Sequence, residues 1–446
     1  MTKPQGRAGK AGAVVRVTSG NFLEMFDFMV YGFYATAIAN AMFPSGNEFL
    51  ALMLSLVTFG VGFLMRPLGA IVLGAYIDRH GRRQGLILSL SIMGVGVLLL
   101  ALTPTYATIG ALAPILVLVG RLLQGFSAGA ESGGVSVYLS EISPPGRRGF
   151  YVAWQSASQQ VSVVVAALIG VALHFSLSAD QTAAWGWRIP FLFGSLIVPF
   201  LFYVRRSLQE TDDFADRAAR RQRPSFREVY RTILREWRIV GTAVLLVTLT
   251  SVMFYLITAY TPTFGERELG LSAMDSYTVT LVVGVSNFVW VPVMGAVSDR
   301  FGRIPVLITF STLVAVTGYP VMVWLVADPS FARMMTTLLW LSFLYGGYQG
   351  VMVVTLTEMM PAAVRATGFA LAYSLAQAVF GGFTPAICTW LIEVTGSRAM
   401  PGLWLAGSAV ISVLGTLLLA RSGALRRGAA NDGPTTADLP QPSPTA

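Results

Sequence analysis

The chain has 446 residues, of which 54% are apolar and only 12% are charged, with a net charge of +9. A soluble protein is about 25% charged, so this composition excludes a soluble globule and a disordered chain. The apolar positions, about 240 in all, suffice for about twelve membrane spans, since one span takes about 20 apolar residues. With one cysteine and two histidines, we expect no disulfide, no metal site and no cofactor.

Apolar stretches between charged breaks predict an all-α membrane protein with twelve transmembrane helices. The predicted spans are 18–42, 50–76, 86–103, 112–139, 150–176, 187–204, 239–262, 276–298, 304–327, 333–359, 364–393 and 400–421. They form an N-terminal six-helix bundle over 18–204 and a C-terminal one over 239–421. An N-terminal tail (1–17), an arginine-rich central loop (205–238) and a disordered C-terminal tail (422–446) complete the chain.

The basic residues predict the orientation in the membrane. Of the 31 Lys and Arg, 25 lie in the two tails and in the loops on the same side as the tails. The opposite loops hold four, which are Arg188, Arg267, Arg333 and Arg398. Because basic loops stay on the cytoplasmic side, both termini are predicted to be cytoplasmic. The expected location is the bacterial cytoplasmic membrane.

Two cytoplasmic loop motifs occur once in each half. Spans 2 and 3 are joined by Gly74-Ala-Tyr-Ile-Asp78-Arg79-His-Gly81-Arg82, and spans 8 and 9 by Gly295-Ala-Val-Ser-Asp299-Arg300-Phe-Gly302-Arg303. The other pair runs from Glu141 to Arg148 and from Glu358 to Arg365. The distance is 221 residues from Asp78 to Asp299 and 217 from Glu141 to Glu358. A six-helix unit therefore occurs twice, as in many secondary transporters with a site between their halves.

These loops suggest a gate at the cytoplasmic side. An acidic side chain can cap a helix N-terminus or pair with an arginine of a neighbouring loop, so such a cluster could hold one conformation closed. The alternative is that the loops only set the topology. The residues assigned to gating are Gly74, Asp78, Arg79, Gly81, Arg82, Glu141, Arg148, Gly295, Asp299, Arg300, Gly302, Arg303, Glu358 and Arg365.

The doubled Gly-x3-Asp-Arg-x-Gly-Arg loop resembles the signature of the major facilitator superfamily. The segments Ser19-Gly-Asn-Phe-Leu-Glu-Met-Phe-Asp-Phe28 and Gly120-Arg-Leu-Leu-Gln-Gly125 resemble its metabolite–proton symporter family. Two further segments, Ser127-Ala-Gly-Ala-Glu131 and Trp154-Gln-Ser-Ala-Ser-Gln-Gln160, are similar to the citrate and tricarballylate branch of that family. The resemblance implies proton-coupled import of a tricarboxylate by alternating access, without enzymatic activity. The alternatives are a dicarboxylate such as 2-oxoglutarate, or a zwitterion such as betaine or proline.

Five ionisable residues fall inside predicted spans, namely Glu24, Asp27, Arg66, Arg121 and Glu131. A charge in the bilayer is costly, so such residues face a cavity, a partner or a functional site. Three negative and two positive charges sum to −1, which repels an anion, whereas protonation of all three acids raises the sum to +2. Proton uptake would thus favour anion binding, which is thermodynamic coupling.

Within these spans we assign the proton sites to Glu24, Asp27 and Glu131, and the carboxylate-binding fork to Arg121. The predicted substrate-binding residues are Asn21, Tyr31, Arg66, Arg121, Gln124, Gln155, Gln159, Tyr255, Asn287, Tyr345 and Gln349. Two structural alternatives stay open: Glu24 could pair with an arginine to join helices, and Arg66 could extend toward cytoplasmic water.

The expected partners are a polycarboxylate anion, protons and the lipid bilayer, with no nucleic acid, and the protein is expected to work as a monomer. An ATP-driven pump is disfavoured because the sequence lacks a phosphate-binding loop. A channel is harder to exclude, although paired halves and buried carboxylates favour alternating access.

Overall fold

A computed structural model describes residues 20–44, 46–80, 82–129, 132–206, 235–361 and 365–425, and the regular elements of these ranges are helices. The N-terminal half contains α1 (Gly20–Phe33), α2 (Ala35–Met42), α3 (Glu48–His80), α4 (Arg82–Leu102), α5 (Tyr106–Ile109), α6 (Leu112–Ala128), α7 (Ser132–Glu141), α8 (Arg148–Ser176), α9 (Ala179–Ala184) and α10 (Ile189–Arg206). The C-terminal half contains α11 (Trp237–Ile257), α12 (Thr261–Arg267), α13 (Ala273–Phe301), α14 (Arg303–Ala327), α15 (Phe331–Met359), α16 (Arg365–Ala376), α17 (Thr384–Thr395) and α18 (Met400–Ser422).

These helices occupy all of the predicted spans, so the prediction of an all-α membrane fold is confirmed. In the described ranges, eight helical stretches are long and apolar enough to cross a bilayer. The first span is divided into two helices, α1 and α2. The fourth span contains α6 and α7, and residues 130 and 131 between them lie outside the described ranges. The eleventh is interrupted by a π-helical turn at Gln377–Gly381, a distortion that is frequent at functional sites. The predicted tails and central loop fall largely outside the described residues.

Glycines bring α3 and α6 into backbone contact and so place two arginines in one layer. A Cβ atom added to Gly125 would lie 1.7 Å from the Gly62 carbonyl oxygen, and one added to Gly69 would lie 1.8 Å from that of Phe126. Any larger residue would force these helices apart. The close approach sets Arg66 of α3 beside Arg121 of α6, near the middle of both spans.

The two halves contact each other at both ends of the molecule. At the end predicted to be cytoplasmic, a Cβ atom added to Gly149 of α8 would lie 2.3 Å from the carbonyl oxygen of Gly295 in α13. At the opposite end, the Tyr277 hydroxyl donates to the Phe33 carbonyl at 3.1 Å. The residues between these two contacts are therefore enclosed from both sides.

Candidate functional site

Arg121 occupies the centre of the enclosed region. Its side chain is 0% exposed, and Nη1 donates to Oε1 of Gln124 at 2.6 Å. The guanidinium carbon lies over the rings of Phe28, Tyr31 and Phe59, at 4.4, 4.6 and 5.1 Å from their centroids. Among the described residues, Nε and Nη2 have no hydrogen-bond acceptor. Two donors of a planar fork thus remain to bind a carboxylate.

Arg66 is paired with Glu24 rather than directed to water. Its Nη2 lies 3.0 Å from Oε1 of Glu24, and both side chains are buried. The contact is an ion pair whose angles do not meet hydrogen-bond geometry at Nη2. The interpretation that Arg66 extends into cytoplasmic water is therefore wrong, because burial on α3 gives it a carboxylate partner on α1. The predicted alternative that Glu24 pairs with an arginine is thus present, and the arginine is Arg66.

Asp27 lies one turn after Glu24 on α1 and is 1% exposed. It is within electrostatic range of Arg121, yet its Oδ2 has no hydrogen-bond donor among the described residues. A buried carboxylate without full hydrogen bonding is costly to keep ionised. Protonation would remove this cost at Asp27. Glu131, the third predicted proton site, lies outside the described residues.

The C-terminal half supplies tyrosines to the same region. Tyr255 on α11 is buried and packs edge-on against Phe59 and Phe63, at centroid distances of 5.8 and 5.2 Å. It is within electrostatic range of both buried arginines, and its hydroxyl has no hydrogen-bond partner in the described part of the chain. The predicted residue Tyr345 is also buried and contacts the ring of Phe254, at 5.9 Å between centroids.

Predicted glutamines from the two halves meet through Ser156. Nε2 of Gln349 on α15 donates to Oγ of Ser156 on α8 at 2.7 Å, and Ser156 donates to Oε1 of Gln155 at 2.8 Å. The amide oxygen of Gln349, Oε1, accepts a hydrogen bond from the Thr250 hydroxyl. The Nε2 of Gln155 has no acceptor within the described ranges, so it can still donate to a ligand.

Asn287 contacts a residue that the sequence interpretation did not select. Its Nδ2 donates to Oε1 of Gln160 at 3.1 Å, and its Oδ1 accepts from the Ser342 hydroxyl at 2.7 Å. Gln160 is fully buried, as its predicted neighbour Gln159 nearly is. Helical periodicity places Gln155 and Gln159 on one face of α8, and the sequence interpretation assumed that only this face is polar. The other face packs against α13, and only the tertiary structure reveals that contact.

Three further predicted binding residues lie near this region. Tyr31 is buried beneath Arg121 and its hydroxyl donates to the Ser55 carbonyl at 3.2 Å. Gln124 is buried and engaged by Arg121. Asn21 lies in α1, but its side chain is outside the described part of the structure.

The C-terminal copy of the predicted gating motif joins the two halves at the end of α13. Asp299 accepts from the backbone N–H groups of Gly149 and Phe150, at 2.7 and 3.0 Å. These groups belong to the first turn of α8, where a carboxylate is favoured by the helix dipole. Arg303 donates to Asp299 at 2.9 Å and binds Glu358 through two bonds of 3.1 and 2.9 Å. Asp299 thus caps the N-terminus of α8, whereas its arginine partner, Arg303, comes from the same loop motif and not from a neighbouring loop.

The other predicted gating residues contribute less or are not described. Gly295 permits the contact with α8, and Gly302 has a φ of +86°, which suits glycine. Glu141 and Arg300 are exposed, and Arg148 and Arg365 stand at the starts of α8 and α16. Gly74 lies within α3. Gly81 lies outside the described residues, as do the side chains of Asp78, Arg79 and Arg82.

Comparisons with known proteins agree on one family. Residues 17–385 match the Major Facilitator Superfamily. The citrate-proton symporter of Salmonella typhi is 58% identical over 94% of this chain and 96% of its own length. The alpha-ketoglutarate permease of Escherichia coli K12 is 34% identical over 92% and 94%. The crystal structure of a D-xylose-proton symporter superposes with a TM-score of 0.72 at 18% identity, covering 91% of this chain and 96% of its own.

Proposed function

This chain belongs to the major facilitator superfamily, and we propose that it imports citrate together with protons across the membrane. The observation that carries the proposal is Arg121, a fully buried guanidinium with two donors that lack an acceptor among the described residues. A tricarboxylate supplies the planar acceptors that such a fork binds. The 58% identity to a citrate-proton symporter favours citrate over the substrates of more distant relatives.

Proton coupling follows from the charges of the enclosed region. Glu24 and Asp27 contribute −2 and the two arginines +2, so the described charges sum to zero when all four are ionised. An anion that enters this site brings negative charge into a buried environment, which is unfavourable unless protons enter too. Protonation of Asp27 leaves Arg121 without a charged neighbour on α1 and raises the sum to +1. Proton and citrate then favour each other's binding by the same coupling free energy.

The polar groups of both halves complete the proposed site. Tyr255, Tyr345 and the amides of Gln155, Asn287 and Gln349 can hydrogen-bond the remaining carboxylates and the hydroxyl of citrate without adding charge. Since α8 and α13 meet in this layer, a bound anion would contact both halves. Occupancy can then favour closure around the ligand, as alternating access requires. Glu131 and Asn21 remain proposed members of the site.

The cytoplasmic network around Asp299 is the proposed inner gate. It holds the start of α8 against the ends of α13 and α15, and these bonds must break before citrate leaves toward the cytoplasm. The proposal includes cytoplasmic termini, insertion in the bacterial cytoplasmic membrane, function as a monomer, and release of citrate unaltered.

Uptake into proteoliposomes tests this function. The purified chain should accumulate labelled citrate under an inward proton gradient, and a protonophore should abolish the accumulation. Excess unlabelled tricarballylate should compete, whereas 2-oxoglutarate should compete weakly and betaine or proline should not. Accumulation of 2-oxoglutarate or betaine in preference to citrate would overturn the substrate assignment. Citrate flux that equilibrates without saturation would indicate a channel.

A further inference from the structure

Phe28 directly follows Asp27 on α1, and its ring contacts both buried arginines. Its side chain is 0% exposed. The guanidinium carbon of Arg66 lies 4.6 Å from the centroid of its ring, and that of Arg121 lies 4.4 Å from it. Each distance is within the range in which a cation is attracted to an aromatic ring. A single apolar side chain therefore interacts with both positive charges of the site.

The other rings of the region serve one arginine each. Phe63 lies under Arg66, whereas Tyr31 and Phe59 lie under Arg121. Among the cation–π contacts of the described residues, Phe28 is the ring that the two guanidinium groups share. It is itself fixed by Phe63, at 4.5 Å between centroids.

This arrangement answers an electrostatic problem. Arg66 and Arg121 are within electrostatic range of each other and repel. Arg66 has Glu24 as a counter-ion, but Arg121 is held by the Gln124 amide and by aromatic faces. Ring faces stabilise a cation without a formal negative charge, and they cannot be neutralised by a proton. The rings can thus hold Arg121 in place whether Asp27 is protonated or ionised.

Ring contacts and carboxylate binding are compatible. The ring contacts the guanidinium carbon, whereas a carboxylate binds along the N–H bonds of Nε and Nη2. The ring can therefore fix the position of the fork before the anion arrives, and preorganisation of this kind increases affinity.

We propose that Phe28 is a positioning residue that sets the spacing of the two guanidinium groups and thereby selects anions with two or more carboxylates. The inference rests on the proposed function, since it assigns the substrate's carboxylates to Arg66 and Arg121. A monocarboxylate can bind only one of these two guanidinium groups, so their fixed spacing increases its affinity less than that of an anion with two or more carboxylates.

Fluorination of the ring tests this role because fluorine removes charge from the ring face with little change in size. Phe28 of the full chain is replaced by phenylalanines of increasing fluorine content, and citrate uptake is measured in proteoliposomes. The KM for citrate should rise progressively, by about tenfold over the series, which corresponds to about 1.4 kcal/mol. The maximal rate should change little, and the inhibition constant of a monocarboxylate should rise less than the KM.

Phe26 provides the matched control. It is buried on the same helix and contacts the rings of Phe22 and Phe193, at 5.8 and 5.7 Å between centroids. The same fluorinated series at Phe26 should leave the KM unchanged. A KM that is unchanged or lowered along the Phe28 series, in protein that transports citrate with its natural ring, would overturn the positioning role alone. Absence of citrate transport by the unmodified chain would instead refute the proposed function.

Discussion

Replacement of Asp299 by asparagine should open the cytoplasmic side. The carboxylate accepts three hydrogen bonds, from the backbone of Gly149 and Phe150 and from the Arg303 guanidinium. Asparagine has a single acceptor oxygen, so two of these bonds become bonds to a neutral acceptor and weaken by about 1 kcal/mol each, while the third is lost because the amide NH2 group would face a donor. The closed state should therefore lose about 3 kcal/mol or more. Since 1.4 kcal/mol is about tenfold in a population ratio, the inward-open state should gain about 100-fold.

A single reporter cysteine can measure this shift. Cys388 is the chain's only cysteine, so Cys388→Ala gives a background in which Ala153→Cys is the sole thiol. Ala153 is buried where α8 faces Gly295, and a maleimide should reach position 153 only when the halves separate. In this background, Asp299→Asn should accelerate labelling by up to about 100-fold.

The control for this experiment lies at the other end of α13. Asp275 accepts a hydrogen bond from the Ser272 hydroxyl at 2.7 Å, in the first turn of α13. Asp275→Asn should leave labelling at position 153 unchanged. Equal labelling rates for Asp299→Asn and the parent protein would refute the assignment of this cluster as a gate.

Three substitutions in the enclosed region have distinct expected outcomes. Asp27→Asn imitates the protonated acid, so citrate exchange should persist while citrate-driven proton uptake, followed with a pH-sensitive dye, is lost; intact proton uptake would remove Asp27 from the coupling mechanism. Arg121→Lys keeps the charge but loses the fork, and the KM for citrate should rise by about tenfold to 100-fold, with an unchanged KM arguing against carboxylate binding there. Gln160→Leu leaves a buried donor of Asn287 without its acceptor, which costs about 1–3 kcal/mol. The midpoint of thermal unfolding in detergent should therefore fall, and an unaltered midpoint would show that this bond contributes little.

Most of the fold could be predicted from the sequence because the bilayer imposes a simple rule. An apolar run of about 20 residues between charged segments must be helical, since backbone groups in lipid have to be satisfied internally. The interruptions were not predictable in the same way. The break at Tyr34 and the π turn at Gln377–Gly381 occur within apolar runs, so hydropathy alone does not mark them.

The candidate site was predictable only where charge marks it. Glu24, Asp27, Arg66 and Arg121 stand out because ionisable residues in a span are costly, and the structure brings all four into one enclosed region. Their pairing could not be derived, since it depends on how the glycine contacts of α3 and α6 orient each helix. The role of Phe28 could not be predicted in this way. A phenylalanine is common in an apolar span, and the sequence does not show whether its ring contacts lipid or a guanidinium group.

The charges of the described residues bear on the proposed return of the carrier without cargo. With Glu24, Asp27, Arg66 and Arg121 ionised, these four charges sum to zero, and Glu131, which lies outside the described residues, adds one negative charge unless it is protonated. With Glu131 protonated, the closed empty state would need no counter-ion. A citrate anion alone would make the same region negative, and an uncompensated buried charge costs several kcal/mol. Closure around citrate therefore requires protons, either on the acids of α1 or on the substrate. The empty carrier and the carrier that holds both citrate and protons are thus the two states that can close. The carrier that holds citrate without protons cannot close, and this exclusion couples the two fluxes.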